Sequence, residues 1–210
     1  FDSGIVVRLT HSSTENINIT ATVMVTENDG HTREVETQVV IKVKPVIDAQ
    51  DGYVVGSEGD EDTRINIDWQ PTQTQSPDSD EFFTHLEIDG FPAGSTVFVD
   101  GQPVALTADG KLILEPNPGE SEQDFSARIT QHGYIQVQLE EDSSKDFTLN
   151  TSVNVKEIDH EYVDAGNPGE GIVEKTISGS VNVTVNPIVE PENNTGNDAT
   201  DEKLVLTQPD

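Results

Sequence analysis

The chain has 210 residues, and its 40 acidic and 11 basic residues give it a formal charge of −29. That charge argues against nucleic acid and anionic membranes as partners, because both would be repelled. It also destabilises a compact fold by self-repulsion, which bound multivalent cations or a salty environment would relieve. The chain contains no cysteine, so a metal ion is an alternative to the disulfides that stabilise many extracellular domains.

Two alternating segments near the N-terminus predict a β-hairpin. Apolar residues occupy every second position from Ile17 to Val25, and again from Val35 to Val43 except at Thr37, which is typical of half-buried strands. Asp29-Gly30 lies between the segments and predicts a tight turn. Pro45 ends the second strand, because proline cannot donate a hydrogen bond to a central β-ladder.

Residues 43–67, VKPVIDAQDGYVVGSEGDEDTRINI, follow this hairpin, and we predict that they form an acidic hinge between two β modules. The segment lies between two strand-like patterns. Its acidic residues are Asp48, Asp51, Glu58, Asp60, Glu61 and Asp62.

The remainder of the chain predicts short strands separated by turns. Strand-like segments occur at 65–69, 86–88, 96–106, 111–114, 134–139, 147–155 and 177–185. Asp100-Gly101 and Asp109-Gly110 each predict a hairpin, and residues 124–132, DFSARITQH, are the candidate for a short helix. This spacing favours an all-β fold, and in particular a β-sandwich.

The sequence also repeats itself. Residues 19–29, ITATVMVTEND, match 149–159, LNTSVNVKEID, at an offset of 130, and residues 39–48 match 180–190 at an offset of 142. The 12 additional residues fall around 164–171, DAGNPGEG, at a predicted hairpin turn, where insertions are tolerated. Such an array of modules is typical of a stalk rather than of an enzyme.

The repeat divides the chain into three predicted units. Residues 1–46 would be the C-terminal strands of a preceding, partial or split β-sandwich module. Residues 47–190 would form a complete β-sandwich module, and residues 191–210 a linker with the first strand of a following module. Because Phe1 is not an initiator methionine, we expect the chain to be a piece of a larger protein. We expect a monomer whose partners are the neighbouring modules.

Carboxylates are grouped at the predicted turns and junctions. Several carboxylates within a few Å cannot all stay ionised without a cation among them, and Ca²⁺ takes roughly six to eight oxygen ligands. We predict that three groups converge on Ca²⁺ at one end of the complete module: Glu27 with Asp29, Asp48 with Asp60 to Asp62, and Asp78 with Asp80 and Glu81. Glu157, Asp159 and Asp164, with Glu190, would form an equivalent site at the other end. The predicted ligands are Glu27, Asp29, Asp48, Asp60, Glu61, Asp62, Asp78, Asp80, Glu81, Glu157, Asp159 and Asp164.

These motifs resemble the tandem modules of large calcium-dependent bacterial surface adhesins of the repeats-in-toxin (RTX) class. The resemblance covers residues 17–190 in outline. It rests on the step Glu61-Asp62-Thr63, the acidic loop Asp78 to Glu81, the turn Ile88 to Gly94 and the strand entry Asp146 to Leu149. The acidic loop departs from the family pattern, because it has Ser79-Asp80 where an Asp-Gly step is commoner.

The resemblance implies Ig-like or cadherin-like β-sandwich modules with Ca²⁺ at their linkers. The ions would rigidify an array that projects a terminal binding domain from the bacterial cell, as in biofilm adhesion. On this interpretation the chain is an extracellular structural module and not an enzyme. A host or surface ligand would be bound through other domains.

Two other functions stay open on the sequence. A calcium-dependent lectin- or peptide-binding module would place an aromatic ring beside the ion, although Trp69 alternates with Ile65 and Ile67 and is predicted to lie in the core. A surface protein of a salty environment would use its acids for hydration alone. An enzyme is disfavoured, because none of the 5 histidines has a zinc-binding spacing to another and no GxSxG motif occurs.

Overall fold

The structure is a computed structural model that describes residues 6–8, 16–71, 81–158 and 171–189. These residues form an all-β fold with one short helix, as the sequence predicts. In chain order the elements are β1 (Ile17–Thr26), β2 (Thr32–Ile41), β3 (Tyr53–Asp60), β4 (Arg64–Asn66), β5 (Glu81–Asp89), β6 (Thr96–Val99), β7 (Gln102–Val104), β8 (Leu112–Leu114), α1 (Glu122–Ile129), β9 (Ile135–Gln138), β10 (Phe147–Ile158) and β11 (Ile172–Asn186).

Nine of the strands belong to two sheets that share one core. The first sheet has the order β3-β11-β10-β5-β8, and the second has the order β4-β9-β6-β7. Alternating residues of both sheets supply the buried side chains, among them Leu86, Ile88, Leu149, Val153, Ile177, Ile65, Val97, Ile135 and Val137. This is the pattern of a sandwich, in which the inner faces of two sheets interdigitate.

Helix α1 covers part of this core. Ser121 caps its N-terminus by accepting a hydrogen bond from the Asp124 N–H, and Phe125 and Ile129 are its buried residues. The Trp69 indole N–H donates to the Ile129 carbonyl at 2.9 Å. The prediction that Trp69 is a core residue is confirmed, since it is 2% exposed.

The prediction of one continuous hinge over residues 43–67 is wrong. Residues Tyr53–Asp60 form β3, which pairs in parallel with β11 from Tyr53↔Gly179 to Asp60↔Asn186. The acids of this segment therefore lie before and after a strand of the first sheet. The sequence YVVGSEGD has weak strand propensity because of its two glycines, and the partner that makes it a strand is more than 100 residues away.

The predicted hairpin at Asp109-Gly110 is also different in the structure. A turn does form there, with the Gly110 N–H donating to the Thr107 carbonyl at 2.9 Å. The strands on either side of it belong to different sheets, since β7 pairs with β6 and β8 pairs with β5. The turn therefore carries the chain from one layer of the sandwich to the other.

The N-terminal hairpin forms a sheet of its own. Strands β1 and β2 pair in antiparallel register from Ile17↔Ile41 to Thr26↔Thr32, and they make a two-stranded sheet. The following segment joins the sandwich core, where Ile47 and Ala49 are buried. No helix in the described part of the chain has both the length and the apolar character needed to cross a membrane.

Candidate functional site

Three of the predicted ligands meet at one end of the first sheet. Glu81 and Glu157 are direct partners across β5 and β10, and the Asp48 N–H donates to Glu81 Oε1 at 2.7 Å. We call this the entry end, because the chain reaches the sandwich here through residues 45–52. Asp48 and Glu81, which the sequence analysis assigned to one site, are thus neighbours through the Asp48 backbone N–H, and their binding of Ca²⁺ stays a prediction.

The two glutamates at the entry end are shielded from water. Glu157 is 5% exposed and Glu81 Oε2 has almost no accessible surface. Residues directly opposite each other in an antiparallel pair project from the same face of the sheet, and like charges in that position are destabilising. A proton or a cation near these two carboxylates would lower the electrostatic cost.

The acids at the opposite end of the sheet have a different environment. Glu61 is 8% exposed, its N–H donates to the Asn186 carbonyl at 2.9 Å, and its Oε1 accepts from the Ile188 N–H at 2.5 Å. Asp60 Oδ1 accepts from Asn186 Nδ2 at 3.3 Å. We call this the exit end, because β11 leaves the sandwich here. Glu61 already holds the departing backbone by two hydrogen bonds.

Asp62 connects the exit end to a neighbouring turn. Its Oδ1 accepts from the Asp142 N–H at 3.0 Å, and both residues have left-handed backbones, with φ of 60° and 61°. Aspartate tolerates this conformation better than most residues because its short side chain can bond locally. The Asp62 carboxylate thus helps to fix the two turns against each other.

The structure separates acids that the sequence analysis placed in one group. Glu157 pairs with Val173 and Asp60 pairs with Asn186, which are 13 residues apart on β11. An extended strand of that length measures about 40 Å. The prediction that Asp48 converges with Asp60, Glu61 and Asp62 is therefore wrong, as is the assignment of Glu157 to the end opposite Asp48.

Glu27 and Asp29 lie at the tip of the β1–β2 hairpin. The Glu27 carbonyl accepts from the Gly30 N–H, and Asp29 Oδ2 lies 3.0 Å from His31 Nδ1. Strand β1 has 10 residues, so the tip is about 30 Å from the hairpin base that leads to Asp48. The hairpin therefore directs these two acids away from the base, where the chain continues into the sandwich.

The remaining predicted ligands, Asp78, Asp80, Asp159 and Asp164, lie outside the described residues, as does Glu190. Asp80 directly precedes Glu81 in the sequence, and Asp159 follows Glu157 by two residues. Among the residues that the structure does describe, no three Asp, Glu or His side chains converge closely enough to hold a metal ion. The described part of the entry end therefore supplies carboxylates but not a finished ligand set.

An ion pair at α1 was not anticipated from the sequence. Arg128 donates to both oxygens of Glu120, at 2.6 and 2.7 Å, and also to the Tyr134 hydroxyl. These hydrogen bonds from Arg128 lower the pKa of Glu120 from its ordinary value of 4.5 to about 2. Glu120 precedes α1 and Arg128 lies in its last turn, so the helix and the turn before it position the pair.

A cleft of about 420 Å³ lies beside the buried tryptophan. Its lining includes Asp68 and His132, whose Oδ1 and Nδ1 atoms are 2.9 Å apart. The Trp69 ring contributes little surface for a ligand, because it packs edge-on against Phe83 at 5.2 Å. Trp69 is therefore part of the core rather than the aromatic of a lectin-like site; of the other two candidates, Tyr134 is 8% exposed and Tyr162 lies outside the described residues.

Comparison of the chain with protein-family models and with curated proteins finds no match. The functional interpretation consequently rests on the geometry of the two ends of the sandwich.

Proposed function

We propose that the chain is a calcium-binding structural module of a bacterial surface adhesin. On this proposal it is extracellular and non-enzymatic, its fold is of the Ig-like or cadherin-like kind, and its partners are the neighbouring modules of one long chain. Ca²⁺ bound at the ends of the module would rigidify the array. The alternative is that the same acids bind no specific ion and serve only hydration.

The observation that carries the proposal is the pairing of Glu81 with Glu157 at the entry end. Two carboxylates that face each other across neighbouring strands repel, and a cation between them would lower that cost. Asp48 adds a third acid, and the flanking sequence adds Asp78, Asp80 and Asp159. Oxygen-only donors of this kind suit Ca²⁺ better than a transition metal.

The path of the chain supports a role in extension. The backbone approaches the sandwich at the entry end and leaves it after Asn186 at the exit end, which is the opposite end of the first sheet along its strands. A module connected at opposite ends lengthens an array with each copy. Carboxylates at both connections would allow one kind of ion to stiffen every joint.

The proposal is tested by thermal melting of the full chain with Ca²⁺ or with a chelator. At a Ca²⁺ concentration about 100 times Kd, mass action adds about 2.7 kcal/mol to the free energy of unfolding. For a chain of this size that raises Tm by about 5–10 °C. Glu157→Gln should remove most of the increase, because it deletes one of the paired charges.

Glu34→Gln is the matched control, since it removes the same charge from an exposed position on β2. It should leave the calcium-induced increase unchanged. Equal Tm values in Ca²⁺ and in chelator would contradict the proposal. An equal increase with NaCl at the same ionic strength would instead support hydration and screening as the only role of the acids.

A further inference from the structure

The β1–β2 hairpin has the same strand register as the β10–β11 hairpin of the sandwich. Ile19 faces Val39, and Val23 faces Val35. The sequence repeat has an offset of 130 residues for β1 and of 142 residues for β2. Adding these offsets converts the two pairs to Leu149↔Val181 and Val153↔Ile177. Both are direct partners in the second hairpin. The repeat therefore preserves pairing as well as sequence.

A side-chain contact at the base of each hairpin is preserved too. Asn16 Oδ1 accepts from the Val43 N–H at 3.1 Å. The same offsets convert this pair to Asp146 and Val185, and Asp146 Oδ1 accepts from the Val185 N–H at 2.8 Å. This contact is independent of the strand ladder, so it strengthens the structural equivalence of the two hairpins.

The inner faces of the two hairpins differ in how far they are covered. Val153, Ile177 and Val181 are all 0% exposed within the sandwich. Their equivalents Val23, Val35 and Val39 are 50%, 37% and 48% exposed. A two-stranded sheet on its own is at best marginally stable in water, and contiguous exposed apolar surface marks a site of interaction.

The edges of the two hairpins differ in the same way. In the sandwich, β10 also pairs with β5 in antiparallel orientation, and β11 also pairs with β3 in parallel. Within the described residues, β1 and β2 pair only with each other. Both outer edges of the hairpin thus present the backbone groups that β5 and β3 satisfy in the other copy.

We propose that the β1–β2 hairpin is a docking surface for an open β-sandwich of the kind that residues 47–145 form around β10 and β11. The partner supplies an antiparallel strand to β1, a parallel strand to β2 and a second sheet over the apolar face. Its recognition chemistry is β-strand addition combined with apolar packing. The inference goes beyond the calcium proposal and does not require an ion.

The structure also restricts the partner strand that lies beside β2. In the sandwich the ring of Tyr53 covers Gly179, and a Cβ there would come within 2.4 Å of it. The equivalent residue in β2 is Thr37, which has a Cβ. The partner strand must therefore carry a smaller residue at the position of Tyr53, or place its ring elsewhere.

The test inserts a second copy of residues 47–145 between Glu15 and Asn16 of the full chain. The inserted segment then precedes β1 as it now precedes β10. Because Tyr53 would face Thr37, the inserted copy carries Tyr53→Val. We expect hydrogen exchange of the β1 and β2 amides to slow by on the order of a hundredfold relative to the parent chain, because closed strands exchange only when the module opens.

Two controls make the outcome decisive. The first control is a chain in which residues 47–189, with β10, β11 and Tyr53 retained, are inserted at the same place. The inserted module must fold in this control, and the exchange of the test chain is measured under the conditions in which it does. In the test chain, Val23→Asp should abolish the protection of the hairpin, whereas Gln38→Asp on the outer face, opposite Thr20, should preserve it.

Unchanged exchange of β1 and β2, under conditions in which the control folds, would overturn the inference. Protection that is already present in the parent chain and increases with protein concentration would also overturn it, because a second hairpin would then be the occupant. Neither result depends on Ca²⁺, so failure here is distinguishable from failure of the calcium proposal.

Discussion

Glu61 illustrates how one carboxylate can fix the path of a chain. It lies in the polar run EDTR at 61–64, which predicts exposure, yet it is 8% exposed and accepts from the Ile188 N–H at 2.5 Å. A hydrogen bond to a charged acceptor is stronger than a neutral one. The last residues of the module are therefore held against the turn after β3 without any ion.

Replacing this side chain should loosen the exit end. We expect Glu61→Ala to lower the free energy of unfolding by about 1–3 kcal/mol, because the Ile188 N–H loses its acceptor. Glu61→Gln should cost less, since the amide oxygen can accept the same bond. Urea denaturation monitored by Trp69 fluorescence measures both.

Glu58→Ala is the control for Glu61, because Glu58 is exposed and its carboxylate accepts a side-chain hydrogen bond, from Asn186 at 3.0 Å, rather than one from the departing backbone. Its effect should stay within about 0.5 kcal/mol. If Glu61→Ala unfolds at the same urea concentration as the parent chain, the carboxylate does not anchor the exit.

At the scale of elements, the strands whose sequences alternate between apolar and polar residues were predicted, and β3, whose sequence does not alternate in this way, was missed. β1, β2, β9, β10 and β11 follow a period of two and were located correctly, as was the short helix. β3 was missed, because Gly56 and Gly59 interrupt its apolar pattern. Gly59 is required by close packing, since a Cβ there would come within 2.8 Å of Ile65.

The candidate site shows the same limit. Adjacent acids in sequence, such as Asp60 to Asp62, were correctly placed together, because three residues cannot be far apart. Asp48 and Glu61 were wrongly assigned to one site, because the strand between them was interpreted as a hinge. The pairing of Glu81 with Glu157 depends on the β5–β10 register, which local sequence does not specify.

Contact between β3 and β11 gives a prediction for these two elements. We expect Gly179→Ala to destabilise the sandwich by about 1–3 kcal/mol, because the added methyl group overlaps the Tyr53 ring and the core is already close-packed. Tyr53→Val combined with Gly179→Ala should recover part of the loss by removing that overlap. Thermal melting of the two single variants and the double variant gives the coupling between the sites.

The same pair offers an internal control. Ser180 is the next residue of β11 and projects to the opposite face, so Ser180→Ala should have a small effect. Full additivity of Tyr53→Val and Gly179→Ala would contradict direct contact between the two side chains.

At the scale of the whole molecule, the excess of acidic residues is the main electrostatic feature. With 40 acidic and 11 basic residues, most carboxylates have no basic side chain available to pair with. The described ion pairs of lysine and arginine are Arg128–Glu120 and Lys156–Glu122, which involve residues in or next to α1, and Lys111–Glu87 beside β5. With so few basic side chains, the net charge makes the stability of the molecule sensitive to cations in solution.

The parallel pairing of β3 with β11 has a mechanical consequence. If tension enters before Tyr53 and leaves after Asn186, the two strands are pulled in opposite directions along their length. The hydrogen bonds of all eight residue pairs are then loaded together in shear, and none can break first at low force. A stalk built from such modules would resist extension even where each module is only moderately stable.

Single-molecule pulling tests this consequence directly. The chain contains no cysteine, so introduced thiols define the points of attachment. Handles at Val46→Cys and Val189→Cys apply shear, whereas handles at the facing residues Val54→Cys and Ser180→Cys peel the bonds apart one by one. The shear geometry should unfold at the clearly higher force, and equal forces in the two geometries would show that another part of the sandwich yields first.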